Sequence, residues 1–402
     1  MTTRTSVPRP AARRSSYLAQ RVQAIPPSGI RRFFDLISRL DNVISLGVGE
    51  PDFATPWHIR EAAIDALERG YTMYTANAGL PELRQAIAAH LARRYGVVYD
   101  PESEIVVTVG VSEGLDLALR AVLDPGDEVL VLDPGYVSYA PCTLLAGGVV
   151  VPVPTTAATG FQVQPADLAA RITPRTKAIL LGNPNNPTGT VLGAPVLQEI
   201  VRLAEQHDLL LISDEIYDRL VYGVAHTCLA ALPGARERTI LLGGFSKAYA
   251  MTGWRIGYLC APRDLVGGIV KIHQYTALCA PIMAQKAALE ALRHGEAAVQ
   301  EMVAEYDRRR RLMVSGLNEI GLPCHEPLGA FYAFPRVDHL GLSDEEFAER
   351  LLREERVAVV PGSAFGAAGR GHVRCCYATS VRNLSEALDR MGRFVARLRA
   401  AT

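Results

Sequence analysis

Residues 243–258 read GGFSKAYAMTGWRIGY, and the one lysine in that run, Lys247, stands among small and apolar neighbours. An ammonium placed there is poorly hydrated, which lowers its pKa and frees the amine as a nucleophile. Eight residues on, Arg255 carries a fixed fork of donors that suits a phosphate, and Gly253 and Gly257 let the backbone come close to a ligand. A ligand with both a carbonyl and a phosphate would satisfy the pair. On residue types alone, a surface lysine and an ion-paired arginine would account for them better.

The chain has 402 residues, enough for two domains or for one large domain with a cap. Hydrophobic residues make up 49%, as a buried core requires, and 42 basic residues balance 42 acidic ones. Such a balance gives no net field to draw nucleic acid or an anionic membrane, and favours small neutral or zwitterionic partners. The cysteines Cys142, Cys228, Cys260, Cys279, Cys324, Cys375 and Cys376 follow no C-x-x-C or His-rich spacing. That argues against a metal site or a disulfide framework, and for a reducing, cytoplasmic setting. No apolar run reaches transmembrane length. Residues 1–16 are rich in Arg, Ser, Thr and Pro and lack the apolar segment of a secretory signal. A disordered tail is expected there, with an acid-poor transit peptide as the alternative.

Residues 17–39 start helical, break at Pro26-Pro27-Ser28-Gly29 and resume as a helix. A short strand at residues 44–53, ISLGVGEPDF, runs into glycine- and proline-punctuated backbone. Pro56 to Arg69 is helical and stops at Gly70, after which an aromatic-polar loop carrying Tyr74 enters a helix led by Pro81. A buried strand from Ile105 to Val109 feeds a helix through Gly110, Val111 and Ser112, whose free amides form an anion site. The next strand, Val129 to Leu132, closes with Asp133-Pro134-Gly135-Tyr136, and Ala178 to Leu181 leads into the rigid loop GNPNNPTG at 182–189. Leu209 to Ser213 ends in Asp214-Glu215-Ile216-Tyr217, and a carboxylate at the C-terminal end of such a strand sits where ligands bind. The alternation of helical and apolar strand patterns from Glu104 to Tyr258 gives a helix-flanked, mostly parallel sheet. Beyond about Ala291, charged helices over Glu301 to Leu317 and Ser343 to Glu355 flank strands ending at Phe334, Pro361 and Thr379. This part reads as a small α/β domain joined by the N-terminal helices.

The run around Lys247 resembles the lysine signature of class I/II aminotransferases, fold-type I enzymes that use pyridoxal phosphate (PLP). GVGEPDF at 47–53, the Y-x-x-x-x-G-x-x-x-L-R pattern from Tyr74 to Arg84 and NPNNPTG at 183–189 are similar to further motifs in that family's order. The similarity is greatest to the prokaryotic aspartate/aromatic subgroup and runs from about Tyr17 to the C-terminus. It implies that Lys247 holds PLP as an imine and that Arg255, Ser246 and the amides of Gly110, Val111 and Ser112 bind its phosphate. By the same resemblance Tyr136 stacks on the ring, Asp214 pairs with the pyridine nitrogen, and Asn186 and Tyr217 bond the ring O3′ oxygen. Gly47, Asn186 and Arg374 would hold the substrate, Arg374 by gripping its α-carboxylate. Tyr74 would reach across a homodimer interface to the phosphate in the other site. One position departs from the pattern: three residues before the lysine the family often has Ser, and here stands Gly244.

The implied fold is a large PLP domain, residues 51–290, with a mixed, mostly parallel seven-stranded sheet. A small α/β domain from residues 17–50 and 291–402 would accompany it, behind the tail at 1–16. The implied activity moves the α-amino group of an amino acid, aspartate, aromatic or similar, to a 2-oxo acid such as 2-oxoglutarate in a ping-pong cycle, with Lys247 as the base that moves the Cα proton. Some aspartate enzymes of the subgroup carry a lysine in the phosphate-loop helix, where this chain has Ser112 and Glu113. The Ile30 to Phe34 helix start and Gln274-Tyr275 are instead expected to line a pocket for an aromatic or apolar side chain. A PLP-dependent carbon–sulfur β-lyase on the same fold is the alternative. A DNA-binding regulator is not expected, since residues 1–16 are too few for a DNA-binding domain, and the filled cofactor positions speak against a catalytically dead interaction protein.

Overall fold

The computed structural model describes residues 17–25 and 40–400. The expectations for residues 1–16, for the break at Pro26-Pro27-Ser28-Gly29 and for the Ile30 to Phe34 helix start lie outside the described residues. The chain runs through α1 (Gln20–Gln23), β1 (Ile44–Ser45), α2 (Trp57–Glu68), α3 (Pro81–Tyr95), β2 (Ile105–Thr108), α4 (Gly110–Val122), β3 (Glu128–Asp133), α5 (Tyr139–Leu145) and β4 (Val149–Pro154). Next come α6 (Pro165–Ala169), β5 (Thr176–Gly182), α7 (Ala194–Gln206), β6 (Leu210–Asp214), β7 (Thr239–Gly244), β8 (Gly257–Cys260), α8 (Arg263–Thr276), α9 (Ile282–His294) and α10 (Glu296–Glu319). The last elements are β9 (Tyr332–Ala333), α11 (Asp344–Glu355), β10 (Val357–Ala358), β11 (Val360–Pro361), β12 (Val373–Cys376) and α12 (Val381–Ala400).

Seven strands form one sheet in the order β2-β8-β7-β6-β5-β3-β4. All neighbours are parallel except β8, which runs antiparallel to both β7 and β2. The inner strands are largely apolar because both of their faces are covered. Val129, Val131, Ala178 and Leu180 pack with Leu115 and Leu119 of α4 and Ile269 of α8. The alternate residues Leu130, Leu132, Ile179 and Leu181 pack with Leu197, Ile200 and Val201 of α7 on the other face. The ladder also fixes which residues share an edge. Gly182 pairs with Asp214, Asp214 with Leu242, and Gly244 with Gly257, so the parallel strands end together where antiparallel β8 begins.

The C-terminal part builds smaller sheets, β11-β12-β9 and β1-β10. The sequence reads 357–361 as one strand; the structure splits it, Val357 and Ala358 pairing with β1 and Val360 and Pro361 with β12. On β12, Cys376 lies opposite Tyr332 of β9, and Arg374 opposite Val360. Because side chains alternate along a strand, Arg374 and Cys376 share one face. Helix α11 opens with a capping box between Ser343 and Glu346. Phe347 of α11 and Phe394 of α12 are both fully buried, with ring centroids 5.3 Å apart at 69°. Phe394→Ala should therefore cost about 3–5 kcal/mol, read as a lower midpoint of urea unfolding; a loss below about 1 kcal/mol would place that helix outside the core.

Candidate functional site

The aligned strand ends and the face of β12 enclose a cavity of about 350 Å³. Lys247 follows β7 and faces this space, and its Nζ donates to the Gly49 carbonyl at 2.6 Å. The side chain is only half-buried by area because it looks into the cavity, yet the walls keep its ammonium from bulk water. Burial pushes its pKa down to about 8; Arg374 and Arg255 add to that push, and Glu50 and Cys376 oppose it. No carboxylate among the described residues lies within ion-pair reach of Lys247.

Asp214 ends β6. Its Oδ2 accepts from the Tyr139 hydroxyl at 2.9 Å and its Oδ1 from the Ile216 amide at 3.2 Å. Burial raises its carboxyl to about 6, and those two donors and Lys247 pull the other way. Tyr139 was not singled out from the sequence, since its partner is 75 residues away. Nor was the constraint that lets it arrive: a Cβ on Gly182 would stand 2.6 Å from the Tyr139 hydroxyl. Tyr139 also meets Tyr136, which lines the cavity, edge to face at 5.5 Å.

At the opposite end, Gly110 opens α4 with φ +74°, leaving the first-turn amides free. Glu113 fixes this turn: Oε2 accepts from the Val109 amide at 2.6 Å, and Oε1 bonds Nδ1 of the buried His273 at 2.9 Å. Arg255, at φ +52°, donates to the Thr252 carbonyl at 2.9 Å and has no acidic partner among the described residues. Its guanidinium comes so near Gly110 that a Cβ there would lie 2.7 Å from Nη2. A Cβ on Gly257 would likewise stand 2.8 Å from the Val111 amide nitrogen. Val111, Ser112 and the buried Ser246 complete this end of the cavity. At Gly244, where the family pattern has a hydroxyl, methyl groups of Ile216 and Val111 fill the space, each 2.9 Å from where a Cβ would sit.

Arg374 is the least expected group energetically, because it is only 4% exposed and has no carboxylate partner among the described residues. Nη1 donates to Asn186 Oδ1 at 2.9 Å and Nη2 to the Gly47 carbonyl at 2.7 Å. The guanidinium lies between the rings of Tyr332 and Phe365, at 4.4 and 4.8 Å. Two of its five N–H groups are thus used and three remain, including the buried Nε. An uncompensated buried cation is costly unless an anion arrives. Tyr217 stands beside Lys247 and shares a 2.6 Å hydroxyl contact with Tyr332, a second residue the sequence did not mark. Asn183 and Asn185 spend their side chains on the loop itself, Asn183 accepting from Leu192 and Asn185 donating to Pro134 and Thr188.

Of the residues singled out from the sequence, Gly47, Val111, Ser112, Tyr136, Asn186, Asp214, Tyr217, Ser246, Lys247, Arg255 and Arg374 line this one cavity. Gly110 lies directly behind Arg255. Tyr74 is not among them; it is 80% exposed on the surface. Gln274 and Tyr275 also lie outside the cavity wall, Tyr275 being strongly exposed. The donor set suits PLP: a dehydrated amine for an aldehyde, a buried carboxylate for a ring nitrogen, and a phenol and an amide for a ring oxygen. A glycine-lined helix start with an unpaired arginine suits its phosphate.

A model of the family described as aminotransferase class I and II matches residues 41–391. YugH of Bacillus subtilis (strain 168), named as an aminotransferase without a substrate, is 54% identical over 381 residues, 95% of this chain and 99% of its own length. Aromatic-amino-acid aminotransferase 2 of Thermococcus litoralis is 47% identical over 377 residues, 93% of this chain and 97% of its own length. Among solved structures, aspartate aminotransferase from Thermus thermophilus with maleate matches at a TM-score of 0.90 and 44% identity, covering 94% of this chain and 99% of that one.

Since the neutral amine is the nucleophile and the Lys247 ammonium is pushed down to about 8, PLP capture by the apoprotein should quicken as pH rises and level off above about 8. Growth of the visible absorbance band measures this; a rate still climbing at pH values near those of an ordinary lysine would contradict the dehydrated site. Gly182→Ala should break the Tyr139–Asp214 bond and weaken PLP binding by about tenfold, the worth of one hydrogen bond to a charged group. Unchanged affinity in an equilibrium titration would remove Tyr139 from the site.

Proposed function

The chain belongs to the class I and II aminotransferases and is a PLP-dependent enzyme that transfers amino groups; from that premise we propose that its donor is an amino acid with an aromatic or other apolar side chain and its acceptor a 2-oxo acid such as 2-oxoglutarate. When bound, PLP supplies a cationic ring that withdraws electrons from the Cα–H bond of an attached amino acid. Asp214 would accept a hydrogen bond from the ring nitrogen, and its carboxylate charge would favour the protonated ring. Arg374 offers its unused N–H groups to the substrate α-carboxylate, which orients the Cα proton toward Lys247. Lys247, whose ammonium is pushed down to about 8, would serve as the base for that Cα proton. Arg255, Ser246 and the amides of Gly110, Val111 and Ser112 would hold the phosphate, Tyr136 would face the ring, and Asn186 and Tyr217 would donate to its O3′ oxygen. Gly47 and Asn186 border the bound substrate.

The observation that carries this reading is the cavity that places a dehydrated Lys247 and an acid-free buried Arg374 together. The choice of donor rests on charge. Among the described residues the cationic side chains in the cavity wall are Lys247, Arg255 and Arg374, each with a task, and no other described one is left for a second carboxylate. Leu115, Val137, Pro184 and Ile216 make the remaining wall apolar. We assign residues 51–290 to the part that holds the cofactor and residues 17–50 with 291–402 to the part that brings Arg374. The exposed run Tyr71, Met73 and Tyr74 supports a homodimer, as an apolar surface that suits a subunit face with Tyr74 directed to the partner's phosphate. Seven free thiols and the absence, among the described residues, of a helix long and apolar enough to cross a membrane support a cytoplasmic setting.

Mixing each amino acid with the PLP-loaded protein and following loss of the visible band identifies the donor. Phenylalanine and tyrosine should bleach the band with higher kcat/KM than aspartate, and the reverse order would overturn the side-chain assignment. Tyr74→Phe should weaken PLP binding while sedimentation still reports a dimer; a monomer that binds PLP stoichiometrically would refute the shared site.

A further inference from the structure

Tyr332 on β9 touches three parts of the site at once, and no task has been given to it above. Its hydroxyl oxygen is 2.6 Å from that of Tyr217, and its ring lies 4.4 Å from the Arg374 guanidinium carbon. A Cβ on Gly49 would stand 2.3 Å from the Tyr332 hydroxyl, so that hydroxyl rests on the residue whose carbonyl holds the Lys247 amine. The strand ladder leaves it no choice of place, because Tyr332 is paired with Cys376, two residues from Arg374 on β12. One phenol therefore joins the O3′ donor, the carboxylate-binding arginine and the backbone that anchors the lysine.

Two hydroxyls that share one hydrogen bond have one proton unspent, and either could be the donor. An ionised ring oxygen decides the matter, because hydrogen bonds to charged acceptors are about twice as strong as neutral ones. Tyr217 then donates into the cavity, and Tyr332 must donate to Tyr217, each bond polarising the next. Among the described residues no other hydrogen bond competes for the Tyr332 hydroxyl.

We propose that Tyr332 is a positioning residue with two separable actions: its hydroxyl commits the Tyr217 proton to the cofactor O3′ oxygen, and its ring keeps Arg374 flat for a carboxylate. The first action rests on the reading of Tyr217 as the O3′ donor. Tyr332→Phe removes the hydroxyl and keeps the ring, and Tyr332→Leu removes both.

The test is a pH titration of the visible band of the PLP-loaded protein, with steady-state kinetics on the same variants. Losing a donor disfavours the ionised ring oxygen, so Tyr217→Phe should raise the titration midpoint. Tyr332→Phe should raise it in the same direction by about half a pH unit or more, and should add nothing in the Tyr217→Phe background. KM for the amino acid should stay within about twofold in Tyr332→Phe and rise about tenfold or more in Tyr332→Leu, as loss of a desolvated cation–π contact predicts. A midpoint unmoved by Tyr217→Phe would refute the O3′ reading of Tyr217. A midpoint moved by Tyr217→Phe but not by Tyr332→Phe would overturn the proposal alone. An unchanged KM in Tyr332→Leu would remove the second action.

Discussion

Two dehydrated cations share one cavity, and neither has a carboxylate within ion-pair distance among the described residues. The depression of Lys247 from 10.5 to about 8 corresponds to about 3 kcal/mol of destabilisation of its charged form at neutral pH. Its contribution to folding stability therefore improves as pH rises from about 8 toward 10.5, where the unfolded chain would still bind the proton. Asp214 is shifted the unfavourable way too, from 3.8 to about 6, so its contribution worsens as pH rises through that window. Charges held this way at a cost are the mark of groups kept for a ligand rather than for the fold. A molecule with a carbonyl and a basic ring nitrogen would relieve the costs at Lys247 and Asp214, a separate carboxylate would relieve that at Arg374, and binding to the native state alone stabilises it.

The sheet is what makes such an arrangement tolerable. Parallel strands end at a common edge, and that edge receives Asp214 directly and the loops after β2, β5 and β7 within a few residues. Antiparallel β8 starts at the same edge, which is why Arg255, two residues ahead of it, meets the start of α4. Arg374 arrives from a different sheet, and its place is fixed by contacts to both parts. Gly47 and Asn186 hold its nitrogens. Phe365 covers it from a loop tied to the end of β3, where the Ala368 amide donates to Asp133 and the Gly135 amide to the Phe365 carbonyl. The close contact of Gly366 with Asp133 leaves no room for a side chain in that loop.

What the sequence disclosed follows the distance over which its signals act. Lys247 and Arg255, Asp214 and Tyr217, and the 183–189 loop are legible because each lies within one run whose spacing sets the geometry. The seven-stranded sheet is legible because its apolar runs alternate with helical ones. Tyr139, Tyr332 and Phe365 are not, since their partners lie 75, 115 and 9 residues away and meet only when separate elements pack. Nine residues is close enough to notice, but Phe365 and Arg374 sit on a loop and a strand whose relation the sequence pattern does not set. The split of 357–361 escaped for a similar reason: a run of apolar residues says that a strand is buried, not that its halves pair with different neighbours. Tyr74 is a different case, because a residue whose proposed work is done in another subunit has no geometry within one chain.

Gly244 shows how a departure from the family pattern is absorbed. A hydroxyl here would donate to a charged phosphate, so its absence is a loss of about 1.5–3 kcal/mol, the range for hydrogen bonds to charged groups. The space it vacates holds side chains of Ile216 and Val111, and both residues carry site backbone. The Ile216 amide donates to Asp214, and the Val111 amide belongs to the exposed first turn of α4. A serine at this position would put its Cβ 2.9 Å from both side chains, and relief would come by moving one of them. Moving Ile216 disturbs the Asp214 carboxylate; moving Val111 disturbs the free amides at the start of α4. The apolar wedge therefore exchanges one hydroxyl contact for a fixed spacing between the Asp214 end of the cavity and the start of α4, where the proposed phosphate site would rely on Arg255 and the free amides.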